Sequence, residues 1–443
     1  MLEIAEAAAL YELSLQDAWN GVTPDSRFKV NGNRTITVLS PGVWNFGSGP
    51  DFQHACIQVD GQTLKGSVEV HRLSGDWFRH GHHDDPAYDE VILHVVAEND
   101  LTPERLSELP LMLVMPNPTE DISREELIEV KNGRCASYFS ALTREQLRTM
   151  FVAAGMERFH IKSNNILRNM IIGGVENTAL RMMLEFVGGS RNRNCFRELF
   201  NRWIEYPADL RRDDSESLLW GESGLLPDLA VVEMSPETKK FATAVWNRWW
   251  LLRHSGREPV KWRRGSSRPQ NSPERRIAAI VMLLERFGDK PLTSIAEKIV
   301  SRDNPAGFVN DLIESMVCRN PLWDNFTSFT CERSRPSAVL GRDAVMEVVV
   351  NVILPALYAA AKISPDGIFK GLDTFAEAAW QTVPRTQDNR IISNAAAKWF
   401  TNKADFNKTA SSAAARQGVI HLYRQYCEKC CFNCSACLIY NSI

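Results

Sequence analysis

Apolar and polar positions alternate with two different periods along this chain, and the change between them divides it. From residue 26 to about 115 the short period of a β-strand recurs. Ala55, Ile57 and Val59 alternate with His54, Cys56 and Gln58, and Val68 and Val70 alternate with Glu69 and His71. Side chains two apart share a face of a strand, so Glu69 and His71 are expected on one face and the valines on the other. Thr35–Leu39 is β-branched and closes at Pro41-Gly42. Val91–Val96 is apolar on both faces, as a central strand is, and Leu111–Met115 reads as a further strand. Asn31-Gly32 and Asp60-Gly61 are hairpin turns, because both residues of such a dipeptide tolerate positive φ. Residues 1–21 read as a helix that buries Leu10, Leu13, Leu15, Ala18 and Trp19 and stops at Gly21. The expected N-terminal domain, 1–121, is therefore a helix with four to five strands.

Beyond residue 122 the helical period dominates. It predicts helices over 124–130, 143–172, 175–187, 196–203, 215–220, 236–254, 273–287, 292–299, 305–317, 344–361, 369–380, 389–400 and 412–426, with no fixed repeat. The fold class is thus α+β. A mixed sheet with flanking helices leads into a large irregular all-α domain, 122–426, and a Cys-rich tail, 427–443. The apolar run 344–361 is interrupted by Glu347, Asn351 and Pro355, so it is expected to be a buried core helix and not a membrane span.

Composition narrows the function classes. Over 443 residues the net charge is −3, which exerts no global pull on nucleic acid or membrane, so any such affinity must be local. The acidic start Met1-Leu2-Glu3 lacks a signal-peptide pattern, and a cytoplasmic protein without membrane partners is expected. There is no Gly-x-x-x-x-Gly-Lys-(Ser/Thr), so Gly42–Gly49 is not a phosphate loop, and no Gly-x-Ser-x-Gly elbow.

Four constellations carry chemistry. In the first, Pro50-Asp51 opens one strand of a hairpin and Glu69 and His71 lie on the other. Two carboxylates meeting there suit an oxygen-preferring cation, Mg²⁺ or Mn²⁺, able to activate water; the bland alternative is the wet side of a half-covered sheet. In the second, Asp76, His80, His82, His83, Asp84, Asp85 and His94 have the ligand types of a zinc or second divalent site, though the spacing sets no tetrahedron. There the alternatives are a solvated turn for residues 82–85 and a core histidine for His94. The third runs from Trp246 to Arg276, with nine Lys or Arg against two Glu and interleaved Trp246, Trp249, Trp250 and Trp262. Lys261, Trp262, Arg263, Arg264 and Arg268 are its candidate nucleic-acid contacts; equally, the tryptophans pack a core and the arginines face water. The fourth is the tail, with Cys427, Cys430, Cys431, Cys434 and Cys437. Its spacings suit an iron–sulfur cluster or zinc, completed by Cys318 or Cys331 upstream; the alternative is an exposed tail without metal.

The order helix, strand, Pro50-Asp51, strand, Glu69-Val70-His71, strand resembles the PD-(D/E)XK nuclease superfamily. That resemblance implies Asp51 and Glu69 as metal ligands and His71 in the place of the usual lysine, where it orients or deprotonates water. The iron–sulfur reading of the tail likewise resembles the cysteine staple of some RecB-like nucleases. A second resemblance covers nearly the whole chain. Gly49-Pro50-Asp51-Phe52, Gly66–His71, Ser74–Trp77 with His80-Gly81-His82, Asp89–Val96, Leu219–Leu226 and Arg268–Pro273 followed by Arg276 are similar to a bacterial family, domain of unknown function 2851. It implies no particular activity. The leading expectation is a metal-dependent nuclease or a nuclease-derived nucleic-acid-processing protein. The alternatives are a binding or scaffold protein that has lost the chemistry, favoured by His71, and a small-molecule metalloenzyme using the His/Asp cluster.

Overall fold

The computed structural model describes residues 12, 14–16, 18–22, 25–45, 49–115, 136–252, 257–263, 271–299, 304–400 and 402–428. They form two compact units. One comprises the chain through Ala154 with Asp388–Ala410 and the residues from Gln417 onward; the other comprises Gly155–Gln387 with Ser411–Arg416.

The first unit is built on a seven-stranded mixed sheet, two strands more than the periodicity predicts. Its strands are β1 (Ser26–Val30), β2 (Arg34–Ser40), β3 (Val43–Trp44), β4 (Phe52–Val59), β5 (Gln62–Leu73), β6 (Val91–Glu98) and β7 (Leu111–Val114). The order is β1-β2-β4-β5-β6-β7, with β3 paired to the start of β4. Pairing is antiparallel up to β5 and parallel from β5 through β7. The Asp60-Gly61 turn has φ of 49° and 82°, and joins Val59 to its partner Gln62, as the hairpin dipeptide predicts.

Two irregularities bend the middle of this sheet. In β4 three residues separate Phe52 from Ala55, while their β5 partners Val68 and Gly66 are two apart. The extra residue is absorbed at His54, whose φ is 60°. This bulge switches the buried parity from even at Phe52 to odd at Ala55, Ile57 and Val59. In β6, Ile92 is the extra residue between the pairs Ser67–Val91 and Val68–Leu93. Gly66 permits that approach, since a Cβ there would lie 2.3 Å from the Glu90 carbonyl oxygen and 2.6 Å from Ile92 Cγ2. Gly66→Ala is therefore expected to destabilise the protein by about 3 kcal/mol, the upper end for overpacking. A urea midpoint equivalent to less than about 0.5 kcal/mol of change would refute this.

Helical backbone at residues 12, 14–16 and 18–20 precedes the sheet. Trp19 is fully buried, and its indole N–H donates to the Pro41 carbonyl at 3.0 Å. Residues 12, 16 and 19 share one helical face, so the anchored tryptophan also aims Glu12 and Gln16.

The second unit is helical, with a core running from Phe159 to Ala414. It also contains a small two-stranded sheet, Phe326–Ser328 with Cys331–Glu332, so the all-α expectation for this region is corrected. These strands are too short for an alternating pattern to register. The helix Arg342–Ile363 is apolar enough to cross a membrane by composition, but 78% of its most apolar 18 residues are buried inside this unit. Its backbone widens to a π-turn over Val349–Ile353, ahead of Pro355. The Leu354 N–H reaches back to Val349, and Pro355 has no N–H to offer Val350. The Val350 carbonyl instead accepts from the buried Trp380 indole at 2.9 Å.

A candidate metal centre on the sheet

Asp51 is delivered by a short, tied loop. Asn45 donates from its backbone N–H to the Asp51 carbonyl at 2.5 Å and from Nδ2 to the Pro50 carbonyl at 2.9 Å. Arg390 holds the Asn45 Oδ1 at 3.1 Å, and Trp44 stacks on Phe52. The acids of β4 and β5 then interlock. The Asp51 N–H donates to Glu69 Oε2 and the Val70 N–H donates to Asp51 Oδ2, both at 3.0 Å. Asp51 and Glu69 are thus brought together, and His71 Nε2 reaches Glu69 Oε1 at 3.4 Å.

Two further residues join it. Gln16 hydrogen-bonds the Asp51 carboxylate, and Glu12 comes close enough for the Asp51 and Asp76 charges to raise its pKa. Burial is the main cause in all three acids. It pushes Glu12 up to about 7 and, helped by the Glu12 charge, Glu69 up to about 8; Asp51 is raised well above its ordinary value, with Glu69 as the second cause. Sequence patterning missed Glu12 and Gln16, because polar residues on a helix are ordinarily solvent-facing. Their place on the Trp19 stripe was the available signal.

Next to the acids lie four histidines. His71 is 1% exposed, and its Nδ1 is 2.9 Å from His94 Nε2. Its Nε2 faces His80 Nδ1 at 3.2 Å and Glu69 Oε1 at 3.4 Å. Both ring nitrogens of His71 are engaged, and its pKa is lowered to about 2 by burial, then by His94 and His80. His82 Nε2 lies 3.2 Å from Glu69 Oε1, and its ring stacks on Tyr88 at 3.8 Å. Burial depresses His82, and it depresses His94 to about 3.

The remaining residues of the second constellation separate from this group. Asp76 opens the helix Asp76–Arg79, accepting from the Leu73 N–H at 3.0 Å and pairing with Arg79. His94 hydrogen-bonds His71 and is close enough to His82 for that residue, after burial, to depress its pKa. His83 and Asp84 pair with each other at the surface, and Asp85 accepts from the Ala87 N–H. The turn after residue 82 is thus solvated, whereas His82 turns inward.

In the helical unit Lys261 and Arg263 are exposed, and the Asn192 side chain bonds both the N–H and the carbonyl of Arg263. Trp262 is half-buried: its indole donates to the Ser223 carbonyl at 2.8 Å and its ring packs on Phe196. That makes it a packing residue and not an open stacking platform. Arg248 and Arg257 are paired with Asp214 and Glu205, and Arg275 is fully buried. Arg264 and Arg268 lie outside the described residues. So do Cys430, Cys431, Cys434 and Cys437; Cys427 is half-buried, Cys318 is buried against the Ala279 and Met316 carbonyls, and Cys331 is exposed.

A groove of about 820 Å³ on the same sheet is lined among others by Pro50, His54, Lys65, Ser67 and Glu90. Acids that raise one another and histidines held neutral are what a divalent cation would compensate. No curated protein and no solved structure matches the chain. Residues 12–372 match the family described as Protein of unknown function (DUF2851), and the chain belongs to that family.

Proposed function

We propose that this protein is a divalent-metal-dependent hydrolase of phosphodiester bonds, with nucleic acid as the substrate class. The observation that carries the reading is the convergence of Glu12, Asp51 and Glu69 from three separate segments into one partly buried group. Three carboxylates stay together at neutral pH only at an electrostatic cost, which a cation removes. Asp51 and Glu69 would hold Mg²⁺ or Mn²⁺, which when bound polarises a phosphoryl oxygen and lowers the pKa of water. Glu12, at about 7, is matched to accept the proton of the attacking water. The groove lined by Pro50 and Ser67, near neighbours in sequence of Asp51 and Glu69, offers an extended substrate room on this sheet. The choice of phosphodiester rests on the order helix acid, Pro-Asp, Glu, parallel strand.

Cleavage of mixed DNA and RNA substrates in Mn²⁺ is the test. Asp51→Asn is expected to lower the rate by at least about a hundredfold, as loss of a metal ligand does. EDTA is expected to abolish the activity and Mn²⁺ to restore it. Absence of cleavage by the wild type in Mn²⁺, or equal cleavage by Asp51→Asn, would sink the catalytic reading. Binding without cleavage would leave the scaffold alternative. A second reading, hydrolysis of a small molecule, is favoured by the histidines around His71, since imidazole suits zinc.

A further inference from the structure

The histidine group has a geometry that the acid site does not explain. Three close contacts link four atoms in a chain, from His82 Nε2 to Glu69 Oε1, on to His71 Nε2 and then to His80 Nδ1. Glu69 to His71 is 3.4 Å, Glu69 to His82 is 3.2 Å, and His71 to His80 is 3.2 Å. The ligand atoms of the three histidines all lie within 4.8 Å of one another. A tetrahedron around zinc, with bonds of about 2.0–2.1 Å, has edges of about 3.3–3.4 Å. Three of the six edges already match. The ring centroids of His71, His80 and His82 are 4.9, 5.1 and 5.6 Å apart; His80 stands edge-on to the other two, whose planes lie 13° apart.

Hydrogen bonding among these atoms does not account for the arrangement. The His82 side chain is nine-tenths buried, yet its Nε2 has no hydrogen-bond partner, although Glu69 Oε1 is 3.2 Å away. A buried ring nitrogen without a partner is costly unless its lone pair is used. His94 supplies the outer contact such a site needs: with the His71 Nδ1 proton donated to His94 Nε2 at 2.9 Å, the His71 Nε2 lone pair points into the group.

We propose that Glu69, His71, His80 and His82 form a tetrahedral site for a zinc-class cation, and that Glu69 joins it to the carboxylate site. Imidazole-rich sets select zinc over magnesium. The two oxygens of Glu69 face opposite ways, Oε1 to the histidines and Oε2 to the Asp51 N–H. A cation here would also tie the connection between β5 and β6 to the sheet, because His80 and His82 follow the helix Asp76–Arg79. Only the joining role of Glu69 rests on the hydrolase reading; the zinc site itself does not.

Metal content of the full chain, purified without chelators, tests this directly. About one zinc per chain bound through the histidines is expected. His80→Ala and His82→Ala should each weaken it by at least about a hundredfold, beyond the effect of losing an outer contact. His80 is exposed, so His80→Ala should retain the wild-type circular dichroism spectrum and remain a fair test. His83→Ala, one residue beyond His82, should keep its zinc. Cobalt substitution should give the strong visible bands of a tetrahedral ion without the near-ultraviolet charge transfer of a thiolate. Zinc that survives both histidine substitutions, or a cobalt spectrum with thiolate bands, would assign the metal to the cysteines and overturn the proposal; so would a chain that binds no zinc. Asp51→Asn should abolish cleavage but retain zinc, so the two readings fail separately.

Discussion

Replacing Glu69 with glutamine is expected to raise the stability of the metal-free protein at alkaline pH while removing the proposed hydrolytic activity. Glu69 is 5% exposed, and burial is the main reason its pKa stands at about 8. For an acid raised in this way, stability is complete below the unfolded-state value of 4.5 and is lost as pH rises through 8. At pH 9 the charged carboxylate thus costs the fold on the order of 5 kcal/mol, at about 1.4 kcal/mol per pKa unit. Glutamine keeps the shape and an oxygen to accept the Asp51 N–H, so it removes the charge without breaking that bond. The variant should melt several degrees above the wild type at pH 9 and match it near pH 5. Added Mn²⁺ or Zn²⁺ should reverse the order by stabilising only the wild type. Turnover should fall by at least about a hundredfold. A variant that melts below the metal-free wild type at pH 9, or that retains turnover, would show that Glu69 is a structural acid.

The second large effect belongs to the helical unit. Arg275→Met is expected to destabilise it by about 4 kcal/mol, at roughly 1 kcal/mol or more for each buried acceptor left unpaired. Arg275 has no exposed surface, and burial lowers its pKa only to about 10, so it stays charged at neutral pH. Its guanidinium donates to the carbonyls of Trp323, Phe326, Ser337 and Ala338. These carbonyls lie on the segment that carries the small sheet, and Arg275 lies on the helix Pro273–Phe287. Methionine fills a similar volume but donates to none of them. Limited proteolysis should open 318–341 first in the variant. A urea midpoint equivalent to less than about 1 kcal/mol of change would mean that those carbonyls are satisfied without the arginine.

Periodicity carried much of the architecture. Helices over Val175–Val187 and Pro273–Phe287 match the predicted bounds, and the Asp60-Gly61 hairpin sits where its dipeptide requires. Asp51, Glu69 and His71 were legible because a hairpin of known turn length sets which residues face each other. What escaped depended on contacts between distant segments. Glu12 reaches the site only because Trp19 is pinned to Pro41. His82 turns inward by stacking on Tyr88, and nothing local separates it from the exposed His83. Arg275 belonged to a run that counted as a basic surface; its burial depends on four carbonyls some 50–60 residues later. The bulge at His54 hid the register of Phe52, since an inserted residue puts it out of phase with Ala55, Ile57 and Val59.

The paired bonds from the Asp51 N–H to Glu69 and from the Val70 N–H to Asp51 join catalytic geometry to the backbone itself. Each acid spends one oxygen holding an amide of the opposite strand, so neither carboxylate can swing away without exposing an amide to solvent. Deuterium exchange at Asp51 and Val70 therefore becomes a clock for the centre. Its slowing on addition of a cation would reveal occupancy residue by residue, before any substrate is known.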